Sequence, residues 1–199
     1  MQYNTITNAF TESKKLKYGI NKCKKIHIGK ETNICPDLKV HHEPMQSSEK
    51  ETYLGDIIAN NGKLNLTIQS RREKGFGMVS EILSILSEIP LGKHKIQIAL
   101  ILRQAMLLNG MLYSSEAWSD VKKRDEKQLE EVDEYLLRSI FKAHRKTPLE
   151  FLHLETGTVP IRFVMASRRM NYLHNILNEN ENELILKVYL AQKLRNSKR

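Results

Sequence analysis

The sequence predicts a mainly α-helical protein. A small α/β segment with two or three short strands occupies residues 1–62, a multi-helix bundle follows over 63–195, and 196–199 form a disordered tail. Three observations carry this. Beyond residue 63 the apolar residues recur at three- and four-residue intervals, which puts them on one face of a helix. Pro90, Gly92, Pro148, Gly157 and Pro160 punctuate that stretch at the places where helices end or begin. Before residue 63 the pattern changes to short runs bounded by turn residues.

Taken in order, Ile6, Phe10 and Leu16 predict an amphipathic helix with Asn4 or Thr5 as cap and Gly19 as its stop. KKIHIG (24–29) alternates as a strand does, with Ile26 and Ile28 on one side and His27 on the other. DLKVHH (37–42), after Pro36, is a second strand. HHEPMQSSEKE (41–51) is polar and broken by Pro44, so it reads as loop. YLGDII (53–58) is a third, buried strand, with Tyr53, Leu54, Ile57 and Ile58 turned inward and Asp56 outward. It stops at the turn Asn60-Asn61-Gly62-Lys63.

The helical part opens with Ile68, Met78, Ile82, Ile85, Leu86 and Ile89 on one stripe, with Gly75 and Gly77 as points of kinking and Pro90 as the end. A second helix carries Ile96, Leu100, Arg103, Met106 and Leu107. A third carries Leu129, Val132, Leu136, Leu137, Ile140 and Phe141. Thr147-Pro148-Leu149-Glu150 predicts a capping box, with Thr147 and Glu150 each satisfying an otherwise free N–H. Gly157 ends that helix. Thr158-Val159-Pro160 opens the next, with Ile161, Val164, Met165, Tyr172, Leu173 and Ile176. The polar run 178–183 separates it from a last helix, ELILKVYLAQKL. Trp118, the single tryptophan, is expected as a core anchor.

Charge narrows the function classes. The chain has 199 residues, of which 40% are apolar, as in ordinary globular proteins, and 32 Lys+Arg against 23 Asp+Glu give a net charge of +9. That balance favours a polyanionic partner, nucleic acid before an acidic membrane surface. The excess is uneven: residues 11–30 hold seven lysines and one glutamate, whereas 120–135 mixes both signs and reads as a solvated helix face. No apolar run approaches the roughly 20 residues that span a bilayer, and the first residues lack a secretory signal's apolar core. Two cysteines make no disulfide framework, so a reducing compartment, nucleus or cytoplasm, is expected.

Catalytic chemistry has little to stand on. Two-metal nucleotidyl transfer needs converging carboxylates, but Asp37, Asp56, Asp120, Asp125 and Asp133 are scattered and no Asp-Asp pair occurs. Cys23, His27, Cys35 and His41 or His42 could in principle ligate zinc, yet they lack the tight Cys pair of structural sites, and no metal is expected. A Cys–His nucleophile would use the same residues without an orienting third group. GFG (75–77) lacks the strand-loop-lysine context of a phosphate loop. The basic groups with the best claim to phosphate contact are Lys63, Arg71, Arg72 and Lys74, then Lys93, then Arg168 and Arg169 one turn before Tyr172. The plain alternative is that they are solvated helix ends.

Three segments in order carry a resemblance: Asn21-Lys22-Cys23-Lys24 through to Gly29, Tyr53-Leu54-Gly55, and Leu112-Tyr113-Ser114-Ser115-Glu116-Ala117-Trp118. Together they resemble the C-terminal part of the reverse transcriptase of LINE-type (non-LTR) retrotransposons. The resemblance implies that 1–62 is an end-of-palm remnant with a primer-grip-like strand at Tyr53, Leu54 and Gly55, and that 63–195 is a thumb-like bundle lying along an RNA/DNA duplex. The family's aromatic-x-Asp-Asp motif, which precedes these segments, is absent here. The chain is therefore expected to be a fragment, without the upstream palm and fingers. It would have no polymerase activity of its own and no cofactor, although the whole family enzyme needs Mg. Weak template–primer binding is the function expected to remain. The alternative is a helical protein-interaction scaffold that docks a partner through its mixed-charge third helix. The helical part is expected to be better ordered than 1–62, whose strand edges are exposed.

Overall fold

The computed structural model of the chain describes residues 14, 19, 23–28, 38–40, 43–90, 92–118, 121–178 and 186–191. The protein is mainly helical, with a few short strands near the N-terminus. It divides into two compact units, Met1–Thr67 and Ile68–Arg199. The expected helix around Phe10, the terminal tail and the outer residues of the last helix lie outside the described residues. Residues 186–191 are helical.

The described strands of the first unit form three two-stranded pairs. β1 (Lys24–Lys25) runs parallel to β4 (Gln46–Ser47), and β2 (Lys39–Val40) is antiparallel to β3 (Glu43–Pro44). Two of these strands lie in the stretch expected to be loop. Its polar composition hides pairing made by backbone groups alone, such as Met45 N–H to Leu38 O (2.9 Å) and Ser48 N–H to Lys25 O (2.9 Å).

YLGDII is not one buried strand. β5 (Lys50–Tyr53) and β6 (Asp56–Ala59) form an antiparallel hairpin, with Tyr53 opposite Asp56 and Lys50 opposite Ala59. Leu54 and Gly55 are the two-residue turn, with φ of 48° and 86°. Positive φ at both positions gives the turn whose twist matches that of the strands. Tyr53 and Leu54 consequently point to solvent, 64% and 71% exposed, and only Ala59 is buried in these two strands.

The hairpin ends in the expected turn. Gly62 has a φ of 64° and donates to Ala59 O, and Asn61 Oδ1 accepts from Lys63 N–H. Thr67, 1% exposed, then ties β6 to the first turn of α1. Its hydroxyl accepts from Ile57 N–H (3.0 Å) and donates to Ile57 O (3.1 Å).

α1 (Asn65–Ser87) runs unbroken through Gly75 and Gly77. A Cβ on Gly75 would lie 2.9 Å from Met111 Sδ and 3.0 Å from Val132 Cγ1, so that glycine is a point of close packing. α2 (Lys93–Leu102) passes directly into a π-helical turn, Arg103–Leu108. The wider turn buries Arg103, Leu107 and Leu108 together. A short helical turn (Asn109–Met111) and a 3₁₀ turn (Ser115–Ala117) lead to α3 (Lys123–Phe141), the strongly amphipathic helix.

Leu129, Val132, Leu136, Leu137 and Ile140 of α3 are buried, in a helical unit whose core also holds Val79, Ile82, Leu107, Met111, Leu152, Ile161 and Met165. Trp118 is 4% exposed, as a core anchor should be.

α4 (Leu149–Thr156) lacks the expected capping box. Pro148 takes an extended ψ of 137° and occupies the cap position itself, and no side chain caps the helix. Gly157 ends α4 as expected, with a φ of 63° and Thr158 N–H reaching back to His153 O (3.0 Å). α5 (Ile161–Asn178) follows Pro160 and buries Ile161 and Met165. Tyr172, by contrast, is 38% exposed.

Candidate nucleic-acid interface

The seven cations singled out in the sequence divide into two groups. Lys63, Lys74 and Lys93 are exposed. Arg71, Arg72, Arg168 and Arg169 are engaged within the helical unit. Arg71 is 5% exposed, donates to Gly110 O (3.3 Å) and lies 5.4 Å from the centre of the Tyr113 ring. Arg72 pairs with Glu131 (3.2 Å) over the Phe76 ring. Arg168 donates to Leu112 O (2.8 Å) and Asn109 Oδ1 (3.0 Å), and Arg169 Nε approaches Ser115 O at 3.5 Å. These four do not present free guanidinium forks. Their bonded donors go to carbonyl and carboxylate oxygens of the same unit.

The segment Leu112–Trp118 explains two of these contacts. Leu112, Ser115 and Trp118 are buried, Ser114 takes a left-handed φ of 64°, and the chain turns sharply through the 3₁₀ turn. Leu112 O and Ser115 O already accept from Ser115 N–H (3.1 Å) and Trp118 N–H (3.4 Å), and each has a second lone pair open at this corner. Arg168 and Arg169 supply the donors from α5. Tyr113 alone of the segment's large side chains faces solvent, 52% exposed.

Four of the six acids of α3 are also engaged, each by a different arginine. Glu130 meets Arg162 of α5 (3.2 Å), Glu131 meets Arg72 of α1 (3.2 Å), and Glu134 meets Arg138 one turn on (2.7 Å). Asp133 meets Arg103 in a two-pronged pair, both bonds 2.6 Å, with the residues 2% and 4% exposed. Arg103 also reaches Val159 O (3.3 Å). Sequence reasoning took this face for solvated and missed the buried pair. The signal was present: Arg103 stands on the apolar stripe of the second helix, and Asp133 lies between Val132 and Leu136. A partner docking through Glu130, Glu131 or Asp133 would have to displace arginines already bound there.

His153 lies close to that pair. It is 7% exposed, and its Nδ1 is 2.9 Å from Thr158 Oγ1, which is itself 2.7 Å from Thr156 Oγ1. Burial holds its pKa below the ordinary histidine value. Asp133 pulls upward and Arg103 downward by smaller amounts.

No three His, Cys, Asp or Glu among the described residues converge to hold a metal ion. Cys23 is a free, half-buried thiol, and Cys35, His41 and His42 lie outside the described residues. No described helix is long and apolar enough to cross a membrane. The chain matches no family model, no curated protein and no solved structure.

Proposed function

We propose that the chain is a nucleic-acid-holding part of a LINE-type (non-LTR) retrotransposon reverse transcriptase: the end of a palm, a primer-grip-like hairpin, and a thumb-like helical unit. It grips a template–primer duplex through phosphate and sugar contacts and does not itself extend the primer. The order of the three sequence segments suggests this reading, and the net charge of +9 favours it.

One observation carries it furthest. Leu54 sits at a φ of 48° with its side chain 71% exposed. A left-handed conformation costs an L-residue with a Cβ roughly 1–2 kcal/mol. A leucine out in solvent recovers none of that by packing. Residues held in sparsely populated conformations cluster at binding sites. Gly55 beside it lets a ligand approach the backbone, and Tyr53 offers a ring for stacking on a terminal base. Lys63, Lys74 and Lys93 are the exposed cations of the original set.

The test compares an RNA template–DNA primer duplex carrying a recessed 3′ end with a blunt duplex, by fluorescence anisotropy. We expect several-fold tighter binding of the recessed end, and its loss in Tyr53→Ala/Leu54→Ala. Leu54→Gly should raise hairpin stability while weakening that preference. Equal binding of both duplexes by the unaltered chain contradicts the grip assignment.

A further inference from the structure

We infer that the loop between α3 and α4, residues 142–146, is a phosphate-contacting site of the helical unit. The inference rests on the nucleic-acid reading above and names a surface for it that the sequence segments did not indicate. Lys142, His144, Arg145 and Lys146 are all exposed. From Tyr135 to Leu149 the chain contains no Asp or Glu, and Glu134 just before it is already held by Arg138. Among the described residues, Lys142, Arg145 and Lys146 have no ion-pair partner. The arginines that touch α3's acids are neutralised where they stand. Positive charge is therefore in excess at this end of α3, with the exposed Glu150 the next acid along the chain.

The loop is also held in shape. Lys142 adopts a φ of 49°, and Ala143 N–H closes the helix end onto Arg138 O (2.9 Å). Arg138 Nη1 donates to His144 O (2.9 Å), which also accepts from Thr147 N–H (2.9 Å). His144 Nδ1 accepts from Lys146 N–H (3.1 Å), which ties the ring to the loop backbone. Backbone and ring are fixed while the cationic side chains remain in water. A phosphate approaching the loop therefore meets three cations on a backbone that is already ordered.

The experiment measures duplex affinity of the full chain against salt concentration, with a fluorescent RNA–DNA duplex as probe. Lys142→Gln/Arg145→Gln/Lys146→Gln is compared with a control of equal charge loss at the other end of the same helix, Lys122→Gln/Lys123→Gln/Arg124→Gln. The two clusters are separated by about 28 Å of helix. Each phosphate contact contributes about 0.9 to the slope of log affinity on log salt. We expect the loop variant to flatten that slope by about 2 to 3 and to weaken binding at least tenfold at moderate salt, with much smaller changes in the control. Charge-preserving Lys142→Arg/Lys146→Arg should bind as the parent does, and circular dichroism should show all variants equally helical. If loop variant and control weaken binding alike, net charge alone is at work and the loop is not a site, although the nucleic-acid reading stands. A parent chain that binds no duplex, or one that binds anionic vesicles in preference, overturns both.

Discussion

Asp133 and Arg103 are the residues on which the helical unit depends most sharply. Both are almost completely buried and share two 2.6 Å bonds. Removing one partner of such a pair leaves an uncompensated charge in the core, at a cost of about 3–5 kcal/mol. Asp133→Ala should lose stability of that size in urea unfolding. The double change Arg103→Met/Asp133→Leu should recover most of it, since the pair's attraction roughly offsets its desolvation. His153 gives the unit a pH response. Its folded-state pKa is lowered by burial, so the unfolded chain binds the proton more readily. Its contribution to stability is complete above the unfolded value near 6.5 and declines as pH falls through it. Melting temperature should therefore drop between pH 7 and pH 5.5, before most carboxylates titrate, and His153→Gln should flatten that decline. Single residues were the least legible level of the sequence. Spacing places Arg103 and Asp133 on their stripes, but only the fold shows that they share one core and need each other.

Helices were largely readable because their apolar stripes are long, and proline and glycine mark their ends. α1, α3 and α5 lie where the periodicity puts them, and Gly157 stops α4 with the left-handed conformation glycine favours. The misses have physical reasons. The Leu54-Gly55 turn lacks the Asn-Gly signature of its class, so an apolar hexamer concealed a hairpin. Thr147 lost its cap role because Pro148 stayed extended. Gly75 was read as a kink point, yet its service is to let α1 approach Met111 and Val132. Gly75→Ala should gain roughly 1 kcal/mol in helix propensity and lose about 1–3 kcal/mol through overpacking against branched Val132. We expect a net loss in thermal unfolding. Gly77→Ala, which meets nothing within 4 Å, should stabilise the helix.

At the scale of the molecule, charge is sorted by the fold. Four of α3's six acids gather arginines from α1, α5, the π-helical turn and α3 itself, so the middle of an apparently mixed-charge helix is internally paired. That leaves lysine-rich surfaces, rather than the arginines first suspected, to meet a polyanion. Function was legible only as a resemblance and a sign of charge: motif order suggested a duplex partner, but which cations are free depends on pairing between helices distant in sequence. The central claim is that this chain holds a template–primer duplex by its phosphates. The most direct measurement is the affinity of the unaltered 199-residue chain for an RNA–DNA duplex at salt concentrations from about 50 to 200 mM. The account predicts a steep linear fall of log affinity with log salt, its slope corresponding to several phosphates, and no primer extension when nucleotides and Mg are added. Affinity that does not change with salt, or no binding at the lowest salt, would contradict it.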